Sequence, residues 1–159
     1  MDKRMQEAVG QNADIVDYDV WIKGKDGIMV AARQLSEAIN GKQVIFCRLD
    51  HGRRTLLSAH LYRCLYTVCC GRDLAPAEDV LRAWLSNNEG STAAEMQQGS
   101  GLPKAAFDKA FLALQQQVEI MPVRLLSVHP QTLEPEALWV TSGFWQAVAP
   151  RPSNYQDIA

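Results

Sequence analysis

From Pro76 to Leu114 the apolar residues fall into three short helical stretches, parted by Asn87-Asn88-Glu89-Gly90 and Gly99-Ser100-Gly101. A run of strand formers follows at once. This order constrains the fold more than any other feature. Three short helices cannot cover one another's apolar faces, so a hairpin must close the core. The first stretch opens at Pro76, where the missing amide costs nothing, and sets Val80, Leu81, Trp84 and Leu85 on one face. The second is capped by Ser91 or Thr92, with Glu95 at capping-box spacing from Thr92 and Ala93, Ala94 and Met96 facing the core. The third opens at Pro103 and runs to about Gln116, carrying Leu102, Ala106, Phe107, Ala110, Phe111 and Leu114 in an i, i+4, i+8 stripe.

Val118 to Val128 reads as a strand that Pro122 demotes toward an edge or a bulge. Residues 130–136 read as a polar loop with two prolines, and Ala137 to Thr141 as a second strand. Ser142 is the expected cap of a last helix holding Phe144, Trp145 and Val148. Pro150 and Pro152 end the pattern. The aromatics Trp84, Phe107, Phe111, Trp139, Phe144 and Trp145 read as core, and any left exposed would mark a partner or dimer surface.

The first half is less regular. Residues 14–19 alternate weakly and read as a short strand or an extended segment. Lys23-Gly24-Lys25-Asp26-Gly27 is turn chemistry; no Gly-Lys-Ser/Thr follows, so it is not a phosphate loop. Ile28 to Ile39 has helical spacing and stops at Asn40-Gly41. Gln43 to Leu49 reads as a strand, residues 50–53 as a turn, and Thr55 to Leu57 as the strand that pairs back. Ser58 then caps a helix from Ala59 to Cys69, ended by Gly71. The expected fold class is α+β: a winged-helix-like domain (three helices plus a β-hairpin wing) over 73–149, with an N-terminal helix/hairpin extension over 14–72 that carries a basic segment. Residues 1–13 and 150–159 are expected to be tails.

The chain of 159 residues is 47% hydrophobic and 21% charged, enough for a real core and unlike a disordered chain. No apolar run approaches the ~20 residues of a membrane span. The charged start, Met1-Asp2-Lys3-Arg4, lacks the apolar centre of a secretory signal. The expectation is a cytoplasmic protein with no membrane partner and reduced thiols at Cys47, Cys64, Cys69 and Cys70. Charge is uneven. Residues 42–72 hold six basic side chains against one acid, whereas residues 73–159 hold five against ten. A basic middle is where an anionic partner would touch; the plainer reading is a face that complements the acidic half of the same chain.

Several stretches resemble bacterial proteins related to the AlkZ (YcaQ) DNA glycosylases. They are Trp21 to Asp26, Lys42 to Arg72, Leu74-Ala75-Pro76, and Leu102 through Gln115 with its Phe107-Asp108-Lys109-Ala110 phrase. The resemblance implies tandem winged-helix architecture and a nucleic-acid link. The glycosylases' Gln-x-Gln motif has a formal counterpart in Gln115-Gln116-Gln117, at a helix end where the catalytic role is not carried over.

No catalytic residue, cofactor or metal is assigned. Cys47, His51, His60 and Cys64 have the residue types of a zinc site but lack a close C-x2-C pair. Cys69-Cys70-Gly71-Arg72 places a thiol beside an arginine, but at a helix C-terminus, which disfavours a thiolate. The first functional expectation is a non-enzymatic protein associated with double-stranded DNA through Arg48, Arg53, Arg54 and Arg63, with Lys104, Lys109 and Arg124 contributed by the third helix and the wing. The alternative is a protein-interaction or dimerisation module, favoured by the sparse charge of that third helix.

Overall fold

Two small antiparallel sheets run through the middle of the molecule and divide its apolar residues between two cores. The computed structural model describes residues 14–49, 51–69 and 73–149. The expected tails, Asp50, Cys70, Gly71 and Arg72 lie outside the described residues. The first sheet has the order β1-β3-β2, from β1 (Ile15–Asp17), β2 (Val44–Cys47) and β3 (Thr55–Ser58). The second is a hairpin of β4 (Ile120–Val128) and β5 (Pro135–Thr141). The helices are α1 (Tyr18–Lys23), α2 (Ile28–Asn40), α3 (Ala59–Cys69), α4 (Pro76–Ser86), α5 (Ala93–Ser100), α6 (Lys104–Gln116) and α7 (Ser142–Val148). The protein is therefore α+β.

Strand alternation explains the two cores, because successive side chains point to opposite faces. Val44 and Phe46 of β2, Leu56 of β3 and Trp139 of β5 join the larger core with α1, α2, α4, α5 and α6. Their neighbours Ile45, Leu57 and Val140 join the smaller one with Tyr62 of α3 and Trp145 of α7. The larger core takes Trp21, Leu35 and Ile39 from the first half of the chain and Leu81, Leu85, Phe107, Leu114 and Leu125 from the second. Asn40 Oδ1 adds a polar tie by accepting from the Leu125 amide at 3.1 Å.

Local signals act as chemistry dictates. Thr92 caps α5, with reciprocal bonds between its hydroxyl and the Glu95 amide and between the Glu95 carboxylate and its own amide. Pro122 coincides with a register shift in the hairpin, and a second shift follows Leu125. Four expectations need correction. Residues 18–23 are helical, because Asp17 caps Val20 and turns Tyr18, Trp21 and Ile22 inward. Pro135 and Glu136 belong to β5 rather than to the preceding loop. Thr141, not Ser142, caps α7, and the Ser142 hydroxyl donates instead to the Val118 carbonyl. Val80, Ala94 and Phe144 face solvent rather than the core.

Candidate functional site

The chemistry gathers around the connection between β4 and β5, where the first half of the chain grips three consecutive residues. Arg54 Nη1 donates to the Thr132 carbonyl at 2.8 Å. The Tyr18 hydroxyl donates to the Leu133 carbonyl at 2.7 Å. Glu134 accepts from Arg48 Nη2 at 2.6 Å and lies 3.7 Å from Arg54 Nη1. Arg54 also pairs with Asp19 and sits 5.3 Å over the Tyr18 ring. Burial pushes the Tyr18 phenol well above the ordinary tyrosine range, and the nearby Arg54 only partly opposes it. Leu133 has a φ of 63°, a left-handed conformation that costs an L-residue about 1–2 kcal/mol and is held by these bonds.

This connection forms one wall of a groove of about 590 Å³. The opposite wall is α6, contributing Lys104, Phe107, Asp108, Phe111, Leu112 and Gln115, and the start of α5 closes one end. The floor is aromatic. Phe107 stacks on Phe111 with ring centres 5.2 Å apart, and Phe111 meets Trp139 edge-on at 4.7 Å. Leu112 stands on the rim, 38% exposed. An apolar floor with a polar rim is the usual make-up of a ligand or peptide site. The rim charges largely neutralise one another: Lys104 pairs with Asp108 at 2.9 Å, and Arg48 with Glu134.

Of the seven basic residues expected to contact DNA, only Arg48 and Lys104 line this groove. Arg48 and Arg54 are mostly buried and paired with carboxylates. Arg63 sits 5.5 Å over the Trp145 ring. Arg53, Lys109 and Arg124 are exposed. Cys47 is a buried strand residue, while His51, His60 and Cys64 are exposed. Among the described residues no three His, Cys, Asp or Glu side chains gather as a metal ion requires. The Gln115 and Gln117 amides are spent on structure, donating to the Phe111 carbonyl at 3.2 Å and to Glu78 at 3.2 Å. Among the described residues no helix is long and apolar enough to cross a membrane.

In the sequence, Phe107, Phe111 and Trp139 read as core, with any exposed part expected to face a partner, and no signal singles out Tyr18, Thr132 or Glu134. The aromatics do belong to the core, but together they also floor a groove. Glu134 sits in a polar loop, and nothing local marks its partner Arg48, 86 residues away in the chain. Comparison with protein families, with curated proteins and with solved structures gave no match for this chain.

Proposed function

We propose that the protein is a non-enzymatic binding module whose second half, 73–149, is a winged-helix unit, and that its α6 groove takes a protein partner. The order α4, α5, α6, β4, β5 supports the winged-helix reading. So does an antiparallel bridge between Ser91 and Trp139, which sits where a short first strand would join the hairpin. A kinship with the AlkZ-related proteins is proposed from the sequence stretches that resemble them, such as Leu102 through Gln115, without the glycosylase activity. The groove carries the functional reading: it joins an aromatic floor to a rim whose arginine and lysine already hold carboxylates. Phosphate binding gains strength from cations free to replace counterions, and these are not free.

Association with double-stranded DNA is the second reading, favoured by Arg53, Lys109 and Arg124, which are exposed and have no ion pair among the described residues. Fluorescence polarisation of a labelled generic duplex across a salt series separates the two. The module reading expects no binding at physiological salt. Tight binding with a steep salt slope, lost on charge reversal at Arg53 and Lys109, would overturn it in favour of DNA.

A further inference from the structure

The groove runs along α6, where Lys104, Asp108 and Leu112 recur every fourth residue over two turns, about 12 Å. Its lining holds three carboxylates, Asp108, Glu134 and Glu136, and two permanent cations, Arg48 and Lys104. Both cations are taken, one by Asp108 and one by Glu134. His129 is engaged through Nδ1, which accepts the amides of Gln131 and Thr132 at 3.1 Å each. Glu136 is left over, exposed and with no ion pair among the described residues. The unmatched charge of the groove is therefore negative, and it lies beside the exposed apolar Leu112 and the aromatic floor.

We propose that the groove receives a short segment of a partner protein that sets one bulky apolar side chain against Phe111 and Leu112 and one basic side chain against Glu136. This rests on the binding-module reading and adds the partner's chemistry. Among the described residues an anionic segment finds no free cation on this rim, whereas a basic one meets a carboxylate with no ion pair. The field of the second half points the same way, with ten acidic residues against five basic from 73 onward. The apolar anchor supplies the burial that a single exposed ion pair cannot, since such a pair contributes only about 0–1 kcal/mol.

Random nonapeptides displayed on phage, selected against the full chain, test this. Leu112→Asp and Glu136→Lys, both at exposed positions, are the variants, with circular dichroism to show that they fold. The expected consensus joins an aromatic or large aliphatic residue to a nearby Arg or Lys. A synthetic peptide of that consensus should bind Leu112→Asp about tenfold or more weakly, and Glu136→Lys about threefold or more weakly. Selection against Glu136→Lys should shift toward acidic residues. Peptides that need Leu112 but show no basic preference, or that bind Glu136→Lys as well as the wild type, overturn this inference and leave the binding module standing. Peptides indifferent to Leu112→Asp, or no enrichment over an unrelated protein, overturn both.

Discussion

Tyr18 joins burial, a hydrogen bond and a cation at one position. Its ring is fully buried, meets Phe46 edge-on at 5.1 Å and carries Arg54 on its face, while its hydroxyl holds the Leu133 carbonyl. The phenol must therefore stay protonated in the folded chain. Because its folded pKa is raised, the stability it contributes is complete below the unfolded value near 10 and is lost as pH rises past that value toward the folded one. Tyr18→Phe removes a bond with a net contribution of about 0.5–1.5 kcal/mol and removes this titration too. In urea unfolding the variant should be the less stable at pH 8, and the gap should narrow or reverse by pH 11. A gap that stays constant over that range would mean that the hydroxyl is not held as described.

Among the elements, α4 and α5 owe their close approach to one glycine. A β-carbon at Gly99 would collide with the indole of Trp84, so the last turn of α5 lies directly on that ring. Alanine would ordinarily favour a helix over glycine by about 1 kcal/mol. Here overpacking of about 1–3 kcal/mol opposes it, and Gly99→Ala should be destabilising. A double-mutant cycle with Trp84→Leu separates the two effects: in that background the substitution should become neutral or stabilising. An equal loss in both backgrounds would place the cost elsewhere. The same two helices show how far helix signals can be read in advance. Pro76, the Thr92–Glu95 box and the stripe of α6 are local, and the helices form where they stand. The helix at 18–23 was not legible, because only its buried face, supplied by distant packing, outweighs the strand-like alternation of 14–19.

At the scale of the whole molecule, the larger core ignores the division near residue 73 that the sequence suggests. Trp21, Leu35 and Ile39 share it with Leu85, Phe107 and Leu125, and the β4–β5 connection is gripped by Arg48, Arg54 and Tyr18. Urea unfolding followed by tryptophan fluorescence and by far-ultraviolet circular dichroism should give coincident transitions. Residues 73–149 expressed alone, with that apolar surface uncovered, should unfold with no cooperative transition; a stable, cooperative fragment would contradict this account. The α+β class, the helices of the second half and the hairpin were legible in advance, because periodicity, caps and turn residues act over a few positions. The sequence also showed a basic middle and an acidic second half. That Arg48 and Arg54 face inward onto Glu134 and Asp19 came from packing, as did the groove that Phe107, Phe111 and Trp139 floor, with Glu136 at its rim and in no ion pair among the described residues. Charge and hydrophobicity are properties of single residues, but whether a charge is free or spent depends on which distant residue the packed core sets beside it.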